Sequence, residues 1–426
     1  MTSLAWDRQH RASPTGVSPA HRRPRTFSMG VHAILLATAV VAFFSVATAS
    51  PTFEIIDLSS HSGFSLLEAK STDLFTGAGT TNDGRVVFAP MNADHVGVFD
   101  PKLIGGPIED AFKLYDTQLT MDKKFYSAIS VGDGRVVFPA FNAGGIGVFD
   151  GRDNTFTMKG QGTITATDAL IGGGVASDNK VVMCPYRDSH VATLSLDTYV
   201  VARIAAPGYV TNAWHGGSAT LDGRVVCAPF GVGAVLVYSA GTLDSISASG
   251  LPYVGSTMLS DGRVFMAPWT STAVGIFNPS TNSFNTDTTI LPSPDDNSDF
   301  SGIVETPDGR VLFQESLSGG NTILVNFTDR TTVSINTRHP DRSGARSWWG
   351  AASVGSHVVF APRFVTDIGV LKFPCGENNH VVSGVCVPCP TGQFNEAGDV
   401  QGGPDTACDA ECTCARLLNK VGLSYA

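Results

Sequence analysis

Charge is scarce in this chain: 15% of its 426 residues are charged, against 42% hydrophobic. That balance excludes a disordered polyelectrolyte. No stretch of the body sustains apolar residues at helical spacing, which excludes a helical bundle or solenoid. There is no basic stripe, so nucleic acid and acidic lipid are poor partners. No long apolar run follows Ser50, and nothing beyond that point is fit to cross a bilayer as a helix. The chain also lacks a G-x-S-x-G elbow, an H-E-x-x-H pair and sialidase-type Asp boxes, which removes the commonest hydrolase constellations. Cysteine is nearly missing from the body, where only Cys184 and Cys227 occur.

What is present begins with a leader. Arg8, Arg11, Arg22, Arg23 and Arg25 precede "GVHAILLATAVVAFFSVATA", an apolar run ending in small residues, with Ala47 and Ala49 in the small-x-small pattern of secretory cleavage. Residues 1–49 therefore read as a signal peptide or an uncleaved signal anchor, and the protein as secreted or held at the cell surface. The leader takes five Arg and one Asp from totals of 28 basic and 38 acidic residues, leaving a mature net charge of −14.

Glycine is abundant, at 46 residues, and much of it sits in a repeat. "DGRVVFAP" from Asp83 returns as "DGRVVFPA" from Asp133, "DNKVVMCP" from Asp178, "DGRVVCAP" from Asp222, "DGRVFMAP" from Asp261 and "DGRVLFQE" from Asp308. A seventh copy, "SHVVFAP", starts at Ser356. The spacing of 39 to 50 residues, with several strands per period, predicts an all-β fold: a seven-bladed β-propeller over 52–373. Asp-Gly between two apolar runs predicts a two-residue type I′ hairpin joining the first and second strands of each blade. Six residues before each turn Asp stand Gly77, Ser127, Gly172, Gly216, Gly255 and Gly302, with Gly350 in the last copy. These are small because inner strands crowd near the axis. Two residues earlier a large apolar residue recurs, from Phe75 to Trp348, as blade-to-blade packing. The seventh copy lacks a fourth strand, and "TFEIIDL" (Thr52 to Leu58) is expected to supply it and close the ring.

Six cysteines follow the propeller: Cys375, Cys386, Cys389, Cys408, Cys412 and Cys414. An even, dense cluster in a secreted chain reads as a disulfide framework whose pairing the sequence leaves open. Cys184 and Cys227, at different repeat registers, read instead as unpaired apolar filler. The stretch "CVPCPTGQFNEAG", with Cys386, Cys389, Pro390, Gly392, Phe394 and then Cys408, resembles the ephrin-receptor-like cysteine-rich modules, relatives of EGF-like and TNF-receptor-like modules. "CDAECTC" departs from their final pattern. The module is placed at 375–414, with a tail at 415–426.

Function is expected at the channel mouth, on loops between strands two and three and between blades. These loops carry Asp94, His95, Arg187, Asp188, His190, Arg342, Arg346, Arg363 and Asp367, all of them candidates to contact a ligand, although for any one of them a solvated loop position is the ordinary reading, because surface loops are polar by default. Two departures from the repeat offer chemistry. Blade 6 carries Glu305 and Glu315 where other copies are small or apolar, and His215 precedes Gly216 at a position able to face the channel. Asp295, Asn297 and Asp299 alternate as calcium ligands do, without the glycine and glutamate of an EF-hand loop. Asn326 heads the one glycosylation sequon, "NFT".

The blades resemble those of streptogramin-lyase-like propellers, with the Asp-Gly turn and third strands "VGVFD", "IGVFD" and "VGIFN", over Thr52 to Phe373. That resemblance implies a histidine and a glutamate acting with magnesium near the channel, but blade 6 holds no histidine in this chain. Two functions result. The first is a monomeric, secreted or cell-surface protein that binds a protein or glycan without a cofactor; the second is a metal-assisted lyase or hydrolase using His215 with Glu305 or Glu315 and calcium or magnesium.

Overall fold

The computed structural model describes residues 50–410 apart from 71, 292–299, 316–320, 341–346, 376–378, 383–384, 391–392, 395–398 and 400–405. The leader, Asp295, Asn297, Asp299, Arg342, Arg346, Cys412, Cys414 and the tail lie outside the described residues, as does the side chain of Cys386. Seven four-stranded antiparallel sheets follow one another along the chain. Blade 4 is representative, with strands Trp214–Ala219, Val225–Pro229, Ala234–Ser239 and Thr242–Ser247. Helix is confined to short turns such as Phe64–Glu68 and Ile108–Ala111.

Ring closure is as the missing strand predicts. Thr52–Ile56 pairs antiparallel with Ile368–Lys372 as the outer strand of blade 7, from Thr52 opposite Lys372 to Ile56 opposite Ile368. Phe53 packs edge-on against Trp348 and Phe360 at 6.1 and 5.9 Å between ring centres. An otherwise exposed edge is covered, and the first and last segments of the ring are held together.

The repeated turn is built differently from expectation. Gly84 N–H donates to Thr81 O, and Thr81 and Arg85 close the hairpin. Only the glycine has positive φ, +87° at Gly84, while Asp83 does not. This is a three-residue loop, Asn82 to Gly84, that ends in a left-handed glycine, not a two-residue type I′ turn. The same bonds recur at Thr220/Gly223, Leu259/Gly262 and Thr306/Gly309. The aspartate accepts locally instead: from the Thr81 hydroxyl, and from Arg85 Nε at 2.9 Å.

That arginine explains why the motif reads D-G-R. From blade 1, Arg85 donates to Asn154 Oδ1 (2.6 Å) and to Gly151 O on blade 2. From blade 2, Arg135 donates to Leu196 O (3.0 Å) and the Tyr199 hydroxyl (2.8 Å) on blade 3. From blade 4, Arg224 reaches Asn282 Oδ1 (2.8 Å) and Pro279 O (2.7 Å) on blade 5. Each aspartate holds the guanidinium in place while its free N–H groups staple the next blade.

The inner strands carry a bulge at the recurrent glycine. Phe75 pairs with Pro90 but Ala78 with Phe88, so Thr76 and Gly77 together oppose Ala89. Gly77, Gly172, Gly216, Gly255 and Gly350 all have positive φ there. A Cβ on Gly216 would lie 2.5 Å from Gly255 Cα, so only glycine allows neighbouring blades this close. Blade 2 differs: its first strand shrinks to Ile129–Ser130, with an isolated bridge from Phe125 to Ala140.

Alternate residues of each second strand face opposite neighbours. Val87 and Ala89 pack on Val136 and Phe138 of blade 2, whereas Val86 and Phe88 pack on Val359 and Ala361 of blade 7. This alternation corrects the reading of Cys184 and Cys227, which are joined by a disulfide. Cys184 occupies the slot of Ala89 and Cys227 that of Phe88, so their different registers turn them toward each other across the interface of blades 3 and 4. In the C-terminal region Cys389 pairs with Cys408, and Cys375 is also disulfide-bonded.

Candidate binding site at the channel mouth

The strand path brings two sequence positions together at one pole. The residue preceding each bulge glycine enters the first strand at the mouth, and the residue following each second strand leaves it there. The first series gives Tyr126, Ile171, His215, Val254, Ser301 and Trp349, all in the wall of a channel cavity of about 170 Å³. The second gives Met91, Phe141, Tyr186, Phe230, Trp269 and Arg363.

Together they form a closed circuit of rings. Centroid distances are 5.5 Å from Tyr126 to His215, 5.6 Å to Phe230, 6.3 Å to Trp269, 6.1 Å to Trp349 and 5.9 Å back to Tyr126. Tyr186 flanks His215 and Phe230 at 5.6 and 6.0 Å. Tyr126, Tyr186, Phe230 and Trp269 keep part of their surface in solvent. The Arg363 guanidinium stacks over Trp349 at 4.2 Å and Phe364 at 4.8 Å, while its Nε is held by Asp73. Its Nη1 is buried without a hydrogen-bond partner.

His215 lines the channel, packed among the rings. It is 8% exposed and its Nδ1 is buried without a partner. Burial among rings pushes its pKa down to about 4, aided by the charge of Arg363, so the imidazole is neutral at physiological pH.

Glu305 does not join it. Glu305 pairs with Val311 and Glu315 with Phe300, where the sequence register expects Leu312 and Gly302. The three-residue turn shifts the register by one, and the bulge between Phe300 and Gly302 shifts it again. Glu305 accepts from Ser260 N–H (2.9 Å) on the hairpin of blade 5, at the pole away from the mouth. A six-residue strand separates the ends of this sheet by about 17 Å. Glu315 stands at the mouth end. Among the described residues, the one set of three His, Cys, Asp or Glu ligand atoms within 4.8 Å of one another is His380, Cys389 and Cys408, two of which form a disulfide.

Most of the described polar loop candidates are engaged in local ion pairs and hydrogen bonds. Asp94 pairs with Lys70 (3.1 Å) and with buried Lys124 (3.4 Å). Arg187 bridges Asp168 (2.7 Å) and Asn212 (2.8 Å). Buried Asp188 accepts from His190 N–H (3.0 Å) and from Arg203. Asp367 accepts from Leu58 N–H (3.2 Å) and meets His339 Nε2 at 2.9 Å, tying the closing segment to blade 7. His95 opens its third strand half-buried. Gln314, another departure from the repeat, accepts from the bulge N–H of Gly350 at 3.1 Å. The mouth rings were legible as the residues before the bulge glycines and after the second strands, positions that a search for charged groups largely passes over.

No protein-family model and no curated protein matches the chain. Solved structures do. A streptogramin B lyase is 16% identical with a TM-score of 0.61, covering 76% of this chain and 97% of that one. A catalytically inactive virginiamycin B lyase from Staphylococcus aureus with quinupristin gives 14% and 0.61, over 76% and 99%. The extracellular domain of a hybrid two component system from B. thetaiotaomicron gives 11% and 0.55, over 79% and 42%. These likenesses establish the class, a seven-bladed β-propeller with streptogramin B lyase-like structural neighbours.

Proposed function

We propose that the protein is a secreted or cell-surface binding protein whose propeller mouth receives a protein or glycan. The observation that carries this reading is the closed circuit of partly exposed rings at one pole. Aromatic side chains present a large, rigid contact area at low entropic cost, and a concave, mostly apolar site with a few polar groups is the usual form of a binding pocket. The apolar leader, the disulfides and the neighbours described as extracellular domains fit the oxidising exterior. The ephrin-receptor-like segment then serves as a spacer or second contact, and Asn326, half-buried at the end of a third strand, as a glycan acceptor.

The enzymatic alternative loses Glu305 to the opposite pole and keeps His215, packed among rings, with Glu315 at the mouth end. Melting the purified protein with and without millimolar magnesium or calcium tests the choice. An unchanged melting temperature is expected; a rise of several degrees would favour the metal-assisted reading, because a ligand held only by the folded state must stabilise it.

A further inference from the structure

Resting on that reading, we infer that the mouth is a subsite for one neutral sugar ring of a glycan, stacked on Trp269 and its neighbours and hydrogen-bonded by His215 and Arg363. Three features choose this chemistry. The partly exposed rings of Tyr126, Tyr186, Phe230 and Trp269 suit a ligand with a flat apolar side. Alone they would equally suit an apolar peptide side chain.

Two buried polar atoms decide against that occupant. His215 Nδ1 and Arg363 Nη1 have no hydrogen-bond partner. An apolar occupant would leave both as they are, buried and unsatisfied, whereas hydroxyl groups both donate and accept and would relieve a penalty the free protein already carries. A neutral imidazole offers one hydrogen-bonding nitrogen of each kind, which suits a hydroxyl whichever tautomer is present.

Charge narrows the class further. The described cavity wall and ring circuit carry no charged side chain, and Arg363 at their rim is already paired with Asp73. An ammonium ligand would compete with the guanidinium that occupies the face of Trp349. Among the described residues an acidic glycan would find no uncompensated cation there. A ring with an apolar face and a hydroxylated edge satisfies every group named.

The test uses the full secreted chain against immobilised oligosaccharides of glucose, galactose, mannose and N-acetylglucosamine, with sialylated and sulfated glycans and choline as comparators. Neutral glycans should bind and change tryptophan fluorescence. Trp269→Ala and His215→Phe should each weaken binding about tenfold, with melting temperatures that confirm folding; the histidine variant keeps a ring and removes only the polar atoms. The sugar site is overturned by no neutral binding at millimolar oligosaccharide, by preference for choline or sulfated glycans, or by binding that both variants leave intact. Binding to a glycan-free protein with oligosaccharides inert overturns the sugar site and leaves the binding-protein reading standing. Cleavage of the bound glycan keeps the site and overturns that reading.

Discussion

The two poles of the ring are made of the same strands and have diverged. At the hairpin pole nearly every blade ends in the same turn, with an aspartate, a left-handed glycine and an arginine that in blades 1, 2 and 4 bonds to the next blade. At the mouth the corresponding residues are Met91, Phe141, Tyr186, Phe230, Trp269 and Arg363, nearly all large and all but one different in kind. Uniformity at one end builds the circle, because each interface there has the same geometry to satisfy. Variety under a shared size constraint marks the other end as a surface with its own task.

The closing strand is the place to break the circle itself. Deleting residues 52–58 removes Phe53, Ile55, Ile56 and Leu58 from the blade 7 core and strips a ladder of five register pairs. At roughly 1.5–3 kcal/mol for fully buried Leu58 and about half that for each of the three half-buried side chains, the loss is about 4 kcal/mol or more, a large part of a domain's stability. The deletion should abolish cooperative thermal unfolding. A melting curve like that of the parent would mean that closure contributes little.

Between the poles, Cys184–Cys227 locks blades 3 and 4 across a sequence separation of 43 residues. The chain-entropy model gives about 4 kcal/mol for a loop of that length. Replacing both cysteines with alanine should lower stability by up to that amount in denaturant titrations, and intact protein should show neither thiol free by mass spectrometry. Free thiols at both positions would overturn the pairing and return them to apolar filler.

What was legible in sequence follows from what is local. The hairpin, the bulge glycine and the missing fourth strand all announce themselves within one repeat, so the fold could be read with its closure. The turn type could not, because Asp-Gly fits both a type I′ pair and a turn whose glycine alone is left-handed; the bonds from Thr81 and Arg85 decide it. The Cys184–Cys227 bond depends on which faces of neighbouring blades meet, a relation between repeats and not within one. The same holds for the mouth: Tyr126 touches His215 and Trp349, each two blades away around the ring. Candidates chosen for charge, such as Asp94 and Arg187, turned out to be loop ties.

Acid sharpens the comparison of the poles, because each holds a buried histidine whose pKa is lowered by burial. His215 at the mouth and His357 at the hairpin end of blade 7 are both pushed by burial from 6.5 to about 4. Lys372 adds to the effect at His357, and Glu54 opposes it. Both are neutral in the folded state at pH 5–6, where the unfolded chain already binds a proton at each. Stability is therefore whole above pH 6.5 and falls as pH drops toward 4, by about 3 kcal/mol for each histidine at the limit. His215→Phe and His357→Gln should each remove part of this acid-side loss, and the double variant most of it, in melting temperatures followed from pH 7.5 to 4. If only His357→Gln flattens the profile, the mouth is wetter than its rings imply and His215 is already protonated there. If only His215→Phe does so, Glu54 outweighs burial at the hairpin pole.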